Sequence, residues 1–432
     1  MSTTVAELKA ICYRAVNSTI GKNVLSLYAL QFANYILPLI AVPYLVRVLG
    51  PEKFGAVAFG QSFMMYFVLL VNYGFDWSAT RTISVQRDDP QKVSRTASAV
   101  LGAKVLLTVL SLGILTLLVA MVPKFQEVSA LLYLLFGIVI GNALFPKWLF
   151  QGLERMVAIS VINLFMRVLA LAGIFLIIHQ PADYLKYAGL LGFQWVGAGI
   201  VGLVWASLGL RVKPVIPALS EIVRVLKEGW ILFLSQASVS LYTVGNAFIL
   251  GLLTNPTVVG YYSAAEKIVK ALTGLTEPVT QAAYPRFSKL AAESKASLLY
   301  WTRRALLLQS VVGFALSAVL FLGAPIIVDI VLGKQYLPAI PVIRVLAVVP
   351  FLVSISAGMG RFVFLPMRKE NIRFAITFVA GFLNLFLAFI LVPRWSGTGM
   401  AIAVVAAEAN IGLLYWIYLS KIQANPFLPL VR

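Results

Sequence analysis

The chain has 432 residues; 60% are hydrophobic, 12% are charged and the mean hydropathy is +0.92, against about 45–50% apolar and about 25% charged in soluble proteins, which excludes a soluble domain. The net charge of +19 comes from 35 Lys and Arg against 16 Asp and Glu, a balance that basic membrane loops explain and that a nucleic-acid binder this apolar does not. One cysteine, Cys12, and one histidine, His179, exclude an internal disulfide and a metal centre built from Cys or His.

A spanning helix needs about 20 mainly apolar residues. The tail 1–23, with Glu7, Lys9, Arg14 and Lys22, is too charged for a cleavable signal peptide and reads as cytoplasmic. After it the expected spans are Val24–Val46, Phe54–Tyr73, Ala97–Met121, Val128–Pro146, Val157–Ile178, Leu185–Leu210, Gly229–Leu253, Val258–Tyr284, Ala305–Leu322, Leu337–Gly358, Ile372–Val392 and Thr398–Leu419. None of these runs alternates apolar and polar as a transmembrane strand does, so the expected fold is all-α and polytopic, with twelve spans. The longest loops, near Leu210–Glu228 and Pro285–Thr302, are too short for a folded domain.

With the N-terminus inside, 24 Lys and Arg fall in inside segments and six in outside loops, Lys186 and Arg373, each the second residue of its span, being counted with the adjoining loops. Five (Lys104, Arg167, Lys267, Lys270 and Arg344) fall within spans. This bias follows the positive-inside rule and puts both termini in the cytoplasm. The basic loops also attract anionic membrane lipids. Tryptophan and tyrosine near span ends (Trp148, Tyr184, Trp301, Trp395) are expected as interface anchors.

A numbering shift of 205 lays Gly50-Pro51-Glu52-Lys53-Phe54-Gly55 over Asn255-Pro256-Thr257-Val258-Val259-Gly260. It also pairs Gln31 with Gln236, Gln61 with Glu266, Asn72 with Glu277, Asp76 with Gln281 and Arg81 with Arg286. A duplication of six spans explains these matches, with parallel halves related by an axis along the membrane normal. The expected organisation is a six-helix lobe over 1–209, a cytoplasmic linker over 210–228 and a second six-helix lobe over 229–432.

The segments LVRVLGPEKFGAVAFGQSF (Leu45–Phe63) and YYSAAEKIVKALTGLTEPVTQAAYPRFSKL (Tyr261–Leu290), with twelve spans and a basic inside, resemble bacterial polysaccharide flippases of the Wzx type. These belong to the multidrug/oligosaccharidyl-lipid/polysaccharide exporter superfamily. The resemblance covers essentially the whole chain. It implies two pseudo-symmetric lobes around a central cavity in the bacterial inner membrane. It also implies an undecaprenyl-diphosphate-linked oligosaccharide repeat unit moved to the outer leaflet by alternating access. A polysaccharide polymerase and glycosyltransferases are the protein partners it suggests. No catalytic motif comes with it, so residue roles rest on physics.

A charge at the bilayer centre costs about 2.5–3.5 kcal/mol on insertion scales and so faces a cavity or a partner. The eighth span holds Glu266, Lys267, Lys270 and Glu277. At about 100° per residue, Tyr262, Glu266, Lys270, Thr273, Glu277, Gln281 and Tyr284 share one stripe, with Lys267 at its edge. Glu266 and Lys270 are in the favourable acid-first i,i+4 order. Either this stripe is a cavity wall whose lysines hold a diphosphate, or it is a polar seam between helices. Pro278 is expected to kink the span.

The second span offers Gln61, Asn72 and Asp76; the first offers Tyr28, Gln31 and Tyr35; the seventh offers Gln236, Ser240, Thr243 and Asn246. These suit sugar contacts or helix packing. Candidate substrate contacts are therefore Lys270, Lys267, Glu266, Gln31, Gln61, Gln236, Arg81 and Arg286. Candidate ion-coupling carboxylates are Glu277, which Arg81 or Arg286 would otherwise pair, then Asp76 and Glu408. Lys104, Arg167, Arg344 and Glu408 are single span charges that face the cavity, pair or snorkel. No phosphate loop, metal helix or nucleophile triad is present, so no cofactor and no enzymatic reaction is expected, and the energy for transport must come from an ion gradient, the voltage or the substrate gradient. The alternatives are a cation-coupled multidrug exporter of the same superfamily, which a lysine-bearing cavity disfavours, and a membrane polysaccharide polymerase or ligase, which needs catalytic groups on larger outer loops.

Overall fold

The computed structural model describes residues 19–210 and 212–428, and every regular element among them is helical. The first half runs α1 (Thr19–Asn72), α2 (Phe75–Gln86), α3 (Pro90–Met121), α4 (Pro123–Gln126), α5 (Ser129–Leu135), α6 (Gly137–Leu144), α7 (Lys147–Gly152), α8 (Met156–Ile177) and α9 (Tyr184–Gly209). The second half runs α10 (Leu219–Thr243), α11 (Asn246–Leu253), α12 (Pro256–Gly274), α13 (Glu277–Glu293), α14 (Lys295–Ile327), α15 (Ile340–Leu346), α16 (Val349–Met359) and α17 (Glu370–Lys421).

Eight helical stretches among the described residues are long and apolar enough to cross a membrane. Two are much longer than the rest. Ile40–Gln86 has 47 residues and Glu370–Lys421 has 52, each more than twice the ~20 that one crossing needs. Both contain a non-helical residue: Gly50 (φ 70°, ψ 170°) in α1 and Ser396 (φ 47°, ψ −128°) in α17. At Ser396 the chain turns back sharply, so that Gly399 packs on the Leu391 carbonyl. Each long helix therefore has the length of two crossings joined at a bend.

Several expected boundaries change. The eighth span is not one helix: α12 ends at Gly274, Leu275 and Thr276 form a turn, and α13 begins at Glu277. Pro278, the second residue of α13, has no N–H to continue the ladder of α12. The fourth span divides at Phe136, and the tenth is assembled from a 3₁₀ turn over Lys334–Ala339 followed by α15 and α16. Of the two segments expected as the longest loops, Leu210–Glu228 is helical from Leu219, in α10, and Pro285–Thr302 is largely helical, in α13–α14. Trp148 is not an interface anchor; it is fully buried in α7, whose residues pack on α2.

The halves meet where α1 crosses α12. A Cβ on Gly55 would lie 1.8 Å from the Pro256 carbonyl oxygen, and one on Gly260 would lie 2.0 Å from the Pro51 carbonyl oxygen. Each glycine thus packs on the proline that precedes the other, at positions 205 apart in sequence. Only a residue without Cβ permits this approach. At this end of the molecule Phe248 of α11 stacks on Phe63 at 4.9 Å and on Phe59 at 5.4 Å, and Phe125 stacks on Phe63 at 4.9 Å.

Polar contacts close the same end. Lys124 Nζ donates to the Leu252 and Thr254 carbonyls at 3.1 and 2.8 Å, across the last turn of α11. Gln335 Nε2 donates to the Val46 and Arg47 carbonyls, both at 3.0 Å, just before the Gly50 bend of α1. The Arg47 guanidinium donates in turn to the Ile330 carbonyl. Each half therefore caps open carbonyls at the end of the other half's leading helix. Burial holds the pKa of Lys124 below its ordinary value, and Glu127 works against that shift.

Candidate functional site

α12 is a good helix former with a defined start. Asn255 caps it by accepting from the Val258 N–H at 3.1 Å, and Pro256 occupies its first position. Along one face it carries Tyr262, Glu266, Lys270 and Thr273, spaced by three or four residues. Glu266 Oε1 accepts from Lys270 Nζ at 3.0 Å and from the Tyr262 hydroxyl at 3.4 Å. The side chain of Lys270 is 63% exposed whereas that of Glu266 is 19% exposed, so the pair is asymmetric, with the ammonium outermost.

This face lines a cavity of about 440 Å³ inside the second half. Glu408 of α17, Arg361, and the amides of Asn246, Gln309 and Asn384 line it too. Arg361 sits in a π-helical turn, Gly360–Phe364, that continues α16. Such turns rotate side chains out of the α-helical register and recur at functional sites. The carbonyl oxygens of the Asn246, Gln309 and Asn384 side chains are buried without a hydrogen-bond partner among the described residues. Gln309 spends its amide on the Thr280 hydroxyl at 2.8 Å. The cavity wall therefore offers two cations and two carboxylates, with the three amide oxygens buried in the wall.

A second cavity of about 460 Å³ lies between α1, α8, α9 and α12. It is mainly apolar, with Arg167, Lys267, Lys270, Tyr187 and Gln194 among its lining residues. Lys267 stands 4.7 Å from the Phe54 ring centroid, in cation–π geometry. Lys270 lines both cavities.

The other expected residues are placed differently. Asp76 is committed to Lys147, 71 residues away, at 2.7 Å. Lys104 is 1% exposed and donates to Asn72 Oδ1 at 3.1 Å and to the Asn142 carbonyl at 3.0 Å. It is a structural lysine of the first half. Gln61 and Gln236 are half-buried and line neither cavity. Arg81 and Arg286 are exposed, and Arg286 stands over the Trp301 ring at 5.1 Å. Arg344 is exposed on the other side of α15, 5.9 Å from the Phe321 ring. The side chains of Gln31 and Glu277 lie outside the described residues. The break at Leu275–Thr276 also ends the helical register that linked Glu277 to Lys270.

Sequence reasoning missed Arg361 by ending the tenth span at Gly358. The apolar run continues through Phe362, Val363, Phe364 and Leu365. Extending the span over that run would have placed an arginine within it.

These features define an all-helical polytopic membrane protein with charged cavities among its helices. The chain resembles the lipid II flippase MurJ in its inward closed conformation with a TM-score of 0.73 at 14% identity, over 93% of this chain and 90% of that one. It resembles an inward-facing multidrug resistance MATE family transporter of the MOP superfamily with a TM-score of 0.65 at 18% identity, over 90% and 94%. Within that fold the chain belongs to the polysaccharide biosynthesis protein family, whose pattern matches residues 20–291. It is 33% identical over 400 residues to a protein of Escherichia coli (strain K12) named "Putative O-antigen transporter", covering 93% of this chain and 96% of that one. A protein of the same name from Shigella dysenteriae is 31% identical over 400 residues, covering 91% and 98%.

Proposed function

We propose that this protein is a flippase of the bacterial inner membrane. It moves undecaprenyl-diphosphate-linked oligosaccharide repeat units from the cytoplasmic to the periplasmic leaflet by alternating access, driven by an ion gradient. The observation that carries this reading is Lys270, an exposed ammonium tied to Glu266 that lines both cavities. An ammonium in a confined, weakly screened space attracts a diphosphate more strongly than it does in water. The family, and relatives named as O-antigen transporters, support the same substrate class.

In this reading Lys270 and Lys267 hold the diphosphate and Glu266 orients Lys270. Arg361 faces the sugars. Glu408, in the same cavity, is the leading coupling carboxylate, because Asp76 is held by Lys147. Glu277 remains a second candidate. Both termini are cytoplasmic, and residues 1–209 and 229–432 form the two lobes that rock about the α1–α12 crossing. Glycosyltransferases that complete the sugar unit and a polymerase that consumes it are the partners this direction requires.

The test is reconstitution. Purified protein in vesicles carries a radiolabelled lipid-linked oligosaccharide, and a membrane-impermeant glycosidase reads its leaflet. Protein-dependent crossing supports the proposal. Crossing no faster than in empty vesicles, with or without an ion gradient, overturns it.

A further inference from the structure

The hairpin of α13 and α14, joined at Ser294, carries a cluster of cations and rings outside both cavities. Arg286 of α13 stands 5.1 Å from the Trp301 ring centroid. Arg304 of α14 stands 5.6 Å from the same centroid and 4.5 Å from that of Tyr300. Tyr300 meets Trp301 edge to face at 5.6 Å. All four side chains are exposed, and none of them lines either cavity.

Two cations over one indole repel each other. The ring faces attract both guanidinium groups but do not neutralise them. Among the described residues neither arginine has a carboxylate within ion-pair distance. Glu293, the acid nearest to both in sequence, is paired with Lys289 at 3.8 Å. An anion placed between the arginines relieves the repulsion, and the planar fork of arginine matches a phosphate group through two parallel hydrogen bonds.

The place of the cluster selects a phosphate that belongs to a lipid. At about 100° per residue, Trp301, Arg304, Leu308 and Val311 share one face of α14. Leu308 and Val311 are 68% and 67% exposed, whereas Thr302 and Leu306, on the other side, are fully buried. From Ala305 to Ile327 the helix has no charged residue, so Arg304 marks the start of its apolar run. Interfacial tryptophan and tyrosine sit at the head-group level of a bilayer. A free phosphate ion would use the arginines and leave the aliphatic stripe unused. A phospholipid uses both, with its phosphate on the guanidinium groups and an acyl chain along Leu308 and Val311. A net anionic lipid is favoured over a zwitterionic one, whose ammonium the arginines repel.

We propose that Arg286 and Arg304 bind the phosphate of an anionic phospholipid at the lipid-facing edge of the α13–α14 hairpin. The same two helices meet in the wall of the polar cavity, where Gln309 donates to the Thr280 hydroxyl at 2.8 Å. A lipid held at the outer end of the hairpin therefore braces that wall. The site needs only the membrane-spanning fold and stands apart from the flippase reading.

The experiment uses the full chain with Cys12→Ser and Leu307→Cys, carrying a bimane fluorophore on the new thiol, in nanodiscs of phosphatidylcholine. Leu307 is exposed on α14 beside the arginines. A trace of phosphatidylglycerol or of phosphatidylcholine, each with a nitroxide on an acyl chain, quenches the bimane according to which lipid gathers there. The phosphatidylglycerol tracer is expected to quench at least threefold more than the phosphatidylcholine tracer. Arg286→Ala combined with Arg304→Ala is expected to equalise the two. Arg303→Ala, which removes the same charge from a neighbouring face of α14, is expected to keep the difference. Either single alanine variant is expected to remove a part of it, which keeps the test valid if the double variant fails to fold. Equal quenching by the two tracers with both arginines present overturns the site. A difference that survives the double substitution, or that Arg303→Ala removes as fully, also overturns it and marks general attraction to a basic surface. Loss of the difference on adding sodium phosphate, but not sodium chloride at equal ionic strength, overturns the lipid in favour of a free phosphate. Loss on adding polyglutamate, at equal ionic strength, overturns it in favour of an acidic protein segment.

Discussion

Lys270 Nζ lies 3.0 Å from Glu266 Oε1, one helical turn apart on α12, with the lysine facing open space and the glutamate facing protein. Removing the lysine leaves Glu266, among the described residues, only the Tyr262 hydroxyl at 3.4 Å as a hydrogen-bond partner. Lys270→Ala is expected to reduce lipid-linked oligosaccharide transport at least tenfold, equivalent to about 1.4 kcal/mol. Lys270→Glu should abolish it and Lys270→Arg should retain part of it. Normal transport by Lys270→Ala in the vesicle assay would reduce the lysine to a structural partner.

Coupling is tested on carboxylates. Glu408 lines the charged cavity and Glu277 opens α13. With an imposed pH gradient, wild-type transport should accelerate, and Glu408→Gln should transport at one rate with or without the gradient. Glu277→Gln is compared in parallel. A wild type indifferent to the gradient rules out proton coupling, and a Glu408→Gln that still responds moves the carrier to another residue.

The paired caps of Lys124 and Gln335 hold one end of the molecule shut. Each hydrogen bond is worth about 0.5–1.5 kcal/mol net, so losing all four should shift the population toward the form open at that end. In a Cys12→Ser background, cysteines at Glu52 and Thr257 flank the α1–α12 crossing. Their cross-linking yield should fall at least twofold when Lys124→Ala and Gln335→Ala are combined, and less for either alone. An unchanged yield would show that the aromatic cluster alone keeps this end closed.

Lys104 predicts a stability effect. Lys104→Met keeps much of the side-chain volume but leaves the Asn142 carbonyl and Asn72 Oδ1, both on half-buried residues, without that donor. The expected loss is about 1–3 kcal/mol, read as a lower melting temperature in detergent. A melt equal to wild type would show that the two amides find other partners.

How far the sequence carried depended on distance along the chain. The face shared by Glu266 and Lys270 was legible because they lie one turn apart in an unbroken helix. The same arithmetic failed at Glu277, since Gly274 and Pro278 bracket a break that the apolar content does not reveal. Asp76 looked available because its partner Lys147 is 71 residues away, and periodicity contains no such information. Lys104 and Asn142 are a similar case. The 205-residue offset aligned Gly55 with Gly260 but carried no sign that the two segments touch.

That contact has a consequence for origins. Pro51–Gly55 and Pro256–Gly260 pack as equals, each proline carbonyl against the other's glycine, so the joint is isologous. Lys124 and Gln335 repeat the rule, each reaching over to the opposite half. A surface of this kind fits a second copy of itself. A half-length ancestor bearing one such patch would have assembled as a symmetric homodimer with the joint already in place. Gene fusion would then have freed the two copies to diverge, leaving the charged cavity of Glu266, Lys270 and Glu408 in the second half and the Asp76–Lys147 pair in the first.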